Sequence, residues 1–376
     1  MRKLDSQKRE CVLRLLRELI NQDQARVLVP PYGTESGFWF GGGNAIADEH
    51  GVIWLCGRYR NAGDARTGVG KGERGLECAV FRSDDDGNNF EKVLSWSKAD
   101  LSGEGDQVVS IEGTALHRLA DGRVELFISS EKDRPYPDPF TGYQKPGTGV
   151  WTIDRMIADS VEGLEPASLE PVLENIDRPE YLHVKDPVVF DDADRGTILL
   201  FCSHPFTWSS ANTGMAVRVP DGKHFDLQSW ELVSRGPAWD VASTRLTARL
   251  RIPQVGLFGQ DEPCSVYFYD GCECVRELEE NEKAERRPRG YSCEEIGGAL
   301  FGWNNEFPDM ERLSAVEPLF ISPHGTGCSR YVDVVQTTEG LLATWQQSQP
   351  DGSQPLVGHI VPMDEVHQIL NGSQSS

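Results

Sequence analysis

Five residues of this chain combine a reactive side chain with a place at or near the start of a short apolar run: Glu112, Asp186, Asp240, Tyr331 and Asp333. Carboxyl groups crowded into a partly dry pocket push each other's proton affinities apart, so that one stays protonated while another is ionised. Such a pair can cleave a glycosidic bond, one carboxyl assisting the leaving oxygen and the other activating water or attacking the sugar. Asp186 precedes Pro187, a pairing that burial of an apolar core does not explain. Glu112 lies between Ile111 and Gly113, where an inward carboxylate needs either a function or a buried partner. In residues 327–333, Arg330 and Val332 fall on one strand face, Tyr331 and Asp333 on the other. All three polar groups can therefore line one pocket only if the strand is bulged at its entry.

A second set would hold a ligand rather than transform it. Arg58, Arg60, Arg245 and Arg330 stand near predicted strand ends, and two or three converging guanidinium groups would grip a carboxylate or sulfate. Each could equally pair with one of the many acidic side chains. His183 and His204 flank two predicted strands, and Trp208 and Trp239 offer rings that would stack on a pyranose face or else fill the core.

The elements that must position these residues are mostly strands. Val12, Leu15, Leu16, Leu19 and Ile20 recur at helical spacing and predict one short N-terminal amphipathic helix. From residue 37 the period becomes that of strands, with Asp/Gly turns at 84–87, 121–122, 191–196, 221–222, 338–340 and 351–352. The repeat of apolar strand, Asp/Gly turn and apolar strand starts near Gly41, Ile111, Asp186, Ala242 and Ser329, in steps of 70, 75, 56 and 87 residues. Each step accommodates four strands and their loops. The expected fold class is all-β: a five-bladed β-propeller over residues 37–370, with a helix and lead-in over 1–36 and a disordered tail over 371–376. In a propeller the starts of the inner strands share one face of the axial channel, which would make distant polar residues neighbours.

Composition narrows the partners. With 59 acidic against 37 basic residues and a formal net charge of -22, the chain is a poor ligand for nucleic acid or an anionic membrane. No apolar run is long enough for a secretory signal or a membrane helix, so a cytoplasmic location is expected. Nine scattered cysteines without a CxxC pair suit reduced thiols, and Cys264, Cys272, Cys274 and Cys293 lack the spacing of common zinc sites. Gly41, Gly42 and Gly43 lack the following Lys and helix of a phosphate loop, which leaves close backbone packing as their role. No metal ligand set and no cofactor is expected; the expected partner is a small saccharide.

Residues 83–90, Ser-Asp-Asp-Asp-Gly-Asn-Asn-Phe, have the form S-x-D-x-G-x-x-F. Asp85 would bond amides across a turn, Gly87 would supply positive φ and Phe90 would bury its ring. Together with the Gly57-Arg58 strand before it, this segment resembles an Asp-box blade of the sialidase superfamily. Lys185-Asp186-Pro187-Val-Val-Phe-Asp191 resembles instead the five-bladed glycoside hydrolases of the family 43 and family 32 type, where an Asp-Pro opens a blade and its carboxylate faces the axial pocket. The resemblances imply a propeller glycosidase. The chain departs from both groups, with Phe38-Trp39-Phe40 where sialidases carry Phe-Arg-Ile-Pro and Gly41 to Asn44 where family 43 places an Asp. The expected activity is hydrolysis of a small saccharide, acidic if the arginines converge, through Asp186 and Glu112 aided by Asp240 or Asp333. The alternatives are a carbohydrate-binding propeller without catalysis and a propeller lyase using Tyr331 or a histidine as base.

Overall fold

The computed structural model describes residues 2–60, 74–103, 105–175, 178–204, 210–273 and 295–372. Helix α1 (Ser6–Leu19) comes first and is capped by Asp5, whose carboxylate accepts from the Lys8 amide. The short strand β1 (Arg26–Val29) follows. The first blade contains β2 (Trp39–Gly41), β3 (Ala45–Ala47), β4 (Ile53–Arg60), β5 (Glu77–Ser83) and β6 (Glu91–Ser97). The second has β7 (Val108–Arg118), β8 (Val124–Lys132), β9 (Val150–Ala158) and β10 (Glu170–Leu173). The third has β11 (His183–Asp192), β12 (Gly196–His204), β13 (Asn212–Arg218) and β14 (Asp226–Val233). The fourth has β15 (Ser243–Arg251), β16 (Cys264–Cys272), β17 (Ile296–Trp303) and β18 (Glu311–Arg312). The fifth has β19 (Ser329–Gln336), β20 (Gly340–Gln347) and β21 (Leu356–Pro362), before helix α2 (Met363–Leu370).

The fold is thus a five-bladed β-propeller with an N-terminal helix. Its fifth blade is completed from the other end of the chain: β1 pairs antiparallel with β21 as the outermost strand. The propeller therefore takes up residues 26–29, which the sequence pattern places in the lead-in. Four residues carry too little periodicity to be recognised as a strand, and their partner lies more than 300 residues away. The apolar stripe of α1 is buried against α2 and the core of blades four and five, as Val12, Leu15, Leu16 and Leu19 show by their full burial. At the turn between β5 and β6, Ser83 donates to Asp85 at 2.9 Å, Asp85 accepts from the Asn89 amide at 2.8 Å, and Gly87 has φ +81°. This octet is a self-bonded turn.

One irregularity recurs around the ring. Register breaks interrupt β7 between Ile111 and Thr114, β11 between Lys185 and Val188, β15 between Leu246 and Ala248, and β19 between Arg330 and Asp333. In blade one the break is complete, with Gly42 and Gly43 separating β2 from β3. A bulge turns neighbouring side chains toward the same side, which strict alternation forbids. The inner strands thus deliver several polar groups each to one end of the axis.

Candidate active site

Asp186 sits in the β11 bulge with φ +52°, a left-handed conformation that Asp tolerates better than most residues. Its amide donates to the Ser129 hydroxyl at 3.1 Å, and its Oδ1 accepts from the Gly113 amide at 3.0 Å. Gly113 is required there, because a Cβ would lie 2.7 Å from the Asp186 Cα. The other oxygen, Oδ2, accepts from Arg245 at 2.9 Å. Glu112 reaches the same cluster from blade two, accepting from the Ser110 hydroxyl at 2.7 Å and from Arg58 at 3.3 Å. The Lys185 ammonium lies 3.9 Å from both Glu112 and Asp186, over the Trp151 ring. Burial pushes both carboxyls up, but the cations outweigh it. Lys185, Arg245 and Arg58 hold Asp186 far below the usual range, and Arg58 and Lys185 hold Glu112 down more modestly.

The guanidinium of Arg58 lies between the rings of Trp39 and Tyr331 and accommodates itself beside Gly42, whose absent Cβ would meet Nη1 at 2.1 Å. It donates to the Tyr331 hydroxyl at 3.2 Å. Tyr331 occupies the β19 bulge with φ +53°, unusual for so bulky a residue, and both oxygens of Asp270 receive its amide at 3.1 Å. Arg245 joins the two halves of the cluster: one Nη binds Asp186, and the other binds Asp270 at 2.8 Å and Glu295 at 2.9 Å. Arg330 adds a second cation to Glu295 at 2.6 Å. Burial and the neighbouring Glu295 charge push Asp270 up, whereas Arg245 and Arg330 overcome burial to hold Glu295 down. Directly beside Asp186, Arg245 and Tyr331 the axial channel keeps a cavity of about 20 Å³, also lined by Gly42, Gly113 and Thr114.

The structure therefore brings together Glu112, Asp186, Tyr331, Arg58, Arg245 and Arg330. Arg60 is buried at the end of β4 opposite Trp39. Asp333 accepts from the Ala45 amide at 2.7 Å, tying blade five to blade one, and burial pushes its carboxyl up to about 6. Asp240, expected to aid the axial carboxylates, lies apart from them against the strands of blade four. It accepts from Tyr269 and Arg312 at 3.0 Å and makes no bond to the axial cluster among the described residues. Trp239 is likewise core, stacked on Tyr269 with its indole N–H on the Ser314 carbonyl at 2.7 Å. Both precede β15, and the chain turns inward only at Ser243. His183 is fully buried beside Trp151 and Tyr136. His204 donates through Nδ1 to the Ser210 carbonyl at 2.9 Å, while burial, aided by Lys185, lowers it to about 3. Trp208, Cys274, Cys293 and the charged run 277–289 lie outside the described residues.

Sequence reasoning missed Lys185, Asp270, Glu295, Trp39 and Trp151. Lys185 adjoins the recognised Asp-Pro and could have been found by allowing a bulge there. Asp270 and Glu295 belong to the end of β16 and the approach to β17, whereas attention to inner-strand starts alone passes over them. Among the described residues no group of three or more His, Cys, Asp or Glu side chains is disposed to hold a metal ion.

No protein-family profile matches the chain, and no curated protein is similar to it in sequence. Solved structures do share its fold. A protein described as a glycoside hydrolase superposes with a TM-score of 0.61 at 11% identity, covering 95% of each chain. An α-L-arabinofuranosidase from Lactobacillus brevis gives 0.54 at 10% identity, covering 90% of this chain and 93% of its own. An endo-arabinase from Bacteroides thetaiotaomicron gives 0.52 at 13% identity, covering 90% of this chain and 97% of its own.

Proposed function

We propose that the chain is a glycoside hydrolase that cleaves a small saccharide at the mouth of the axial channel. The observation that carries this reading is the meeting of two inner-strand carboxylates from adjacent blades, Glu112 and Asp186, around shared cations. The shared fold with an arabinofuranosidase and an endo-arabinase adds support of the fold-level kind. Glu112 is the better base. Its side chain is 12% exposed, it is held ionised by Arg58 and Lys185, and its backbone neighbour Gly113 is fixed by Asp186. Asp186 has both oxygens engaged and serves to orient Arg245 and β7. The proton for the leaving oxygen is best drawn from the Asp270–Glu295 pair, two carboxyls on one Arg245 nitrogen, in which Asp270 is pushed up and carries the proton while Glu295 is held ionised. Each of the four cations has a carboxylate within 4 Å, and Lys185, whose two lie beyond hydrogen-bond distance, is the one that favours a saccharide carrying negative charge.

A second reading, a carbohydrate-binding propeller, is favoured by the full engagement of Asp186. The lyase alternative has weaker support, since burial pushes the Tyr331 phenol up and leaves His204 a poor base. Release of reducing sugar from a panel of neutral and uronic oligosaccharides by wild type and Glu112→Gln separates the readings. Hydrolysis predicts activity in the wild type and a loss of about 10²- to 10⁴-fold per folded molecule in the variant. Binding without cleavage in either protein would sink the hydrolase.

A further inference from the structure

Lys185 stands apart from the other cations of the well in what it lacks. Arg245 commits both terminal nitrogens to Asp186, Asp270 and Glu295, and Arg330 commits Nη1 to Glu295. Arg58 is 4% exposed and walled by Trp39 and Tyr331. The Lys185 ammonium, 13% exposed, is the most accessible of the four, and its two carboxylate neighbours stand at 3.9 Å, beyond hydrogen-bond distance. Those carboxylates feel its charge but take their hydrogen bonds from other groups. Glu112 is served by Ser110 and Arg58, and Asp186 by Gly113 and Arg245. Among the described residues Lys185 thus has three N–H donors with no acceptor. Its position is nevertheless fixed, because the ammonium rests 4.3 Å from the centroid of Trp151, itself 2% exposed.

We propose that Lys185 is the specificity residue of the axial well, its ammonium receiving the carboxylate of a uronic-acid-type sugar. The inference rests on the glycan-handling reading of this site and names its ligand class. A compact ammonium suits one oxygen of a singly charged group, whereas a free bidentate fork is not on offer here. An anion approaching the chain meets a net charge of -22, so a local donor is needed to offset the general repulsion. Beneath it, Arg58 and Arg245 keep buried nitrogens without hydrogen-bond partners among the described residues.

The test compares wild type, Lys185→Gln and Lys185→Arg, each checked for folding by thermal unfolding. Calorimetric affinities are taken for glucuronate, galacturonate, the matched neutral hexoses and glucose 6-sulfate, with turnover of the corresponding aryl glycosides read in parallel. The expected result is a wild-type preference for at least one uronate over its neutral partner. In Lys185→Gln that preference falls by about 10- to 100-fold, the range for losing a charged hydrogen bond, and Lys185→Arg retains most of it. An unchanged preference in Lys185→Gln, a wild type that favours neutral sugars or the sulfate ester, or no sugar binding at all overturns the proposal. Uronate binding that needs Lys185 without any turnover refutes the hydrolase and leaves the ligand class standing. Turnover with an unaltered preference does the reverse.

Discussion

Two Arg–carboxylate networks lie at opposite ends of the inner strands, and the larger opening belongs to the one with less unfinished chemistry. The cleft between blades two and three, at the far ends of β7 and β11, encloses about 790 Å³, against about 20 Å³ in the axial channel. At its base Glu125 is fully buried and accepts from Arg218 through both oxygens, at 2.5 and 2.8 Å, from Arg155 at 2.5 Å, and contacts His117 at 3.0 Å. Burial pushes Glu125 up, but Arg218, His117 and Arg155 bring it down to about 2. Arg218 also covers the Phe225 ring, and Arg155 reaches Glu170. This is a closed clamp between blades. In the axial well the Lys185 ammonium has its carboxylates beyond hydrogen-bond distance, and Arg58 and Arg245 keep buried nitrogens without partners among the described residues, as Arg155 does at one nitrogen in the clamp. Cavity size reports space, whereas leftover donors report where a ligand can still lower the free energy.

The sharpest break of this comparison is Glu125→Gln. Removing one partner from a buried ionic network leaves Arg155, Arg218 and His117 without their shared anion, and a loss of about 3–5 kcal/mol is expected. Chemical denaturation reads it directly. Saccharide turnover measured per folded molecule should be unmoved, in contrast to Glu112→Gln; a variant of wild-type stability would remove the clamp from the account.

Asp333→Asn tests the boundary of the well from the other side. Asp333 is pushed up to about 6 by burial, so the folded state holds its proton more tightly than the unfolded chain does. For a carboxyl with a raised value, stability falls as pH rises from about 4, the unfolded value, through 6 in the folded protein, and it is recovered on acidification. Asparagine keeps an acceptor for the Ala45 amide and bears no charge. The variant should therefore be more stable than wild type by about 1–3 kcal/mol at pH 8 and gain little at pH 4, as urea titrations at the two pH values would show. Loss of activity with that gain would move Asp333 into the reacting cluster.

A smaller effect is expected at His117. Burial opposes its charge, but Asp191 and Glu125 prevail and raise it above the usual histidine value. Stability from a raised histidine is fully present below its unfolded value of about 6.5 and is lost as pH rises through the folded value. His117→Gln should cost about 1 kcal/mol at pH 6 and less at pH 9. A cost independent of pH would mean that the ring contributes packing alone.

Sequence by itself determined the blade count, the N-terminal helix, the inner-strand places of Glu112, Asp186 and Tyr331, and the strand-end places of the arginines. Strand alternation, helical spacing and Asp/Gly turns are local properties, written in neighbouring residues. It also set a condition, that Arg330, Tyr331 and Asp333 could line one pocket only if the strand were bulged, and the register does break at residues 330–333, although Asp333 turns to the Ala45 amide. The tertiary structure alone decided that β1 would complete the fifth blade, that Asp240 and Trp239 would pack behind the fourth, and that Lys185, Asp270 and Glu295 would join the cluster. Those outcomes depend on bulges and on blade meeting blade. A bulge changes which way a side chain faces, and only the contacts of the closed ring select which of the available carboxylates a given arginine will meet.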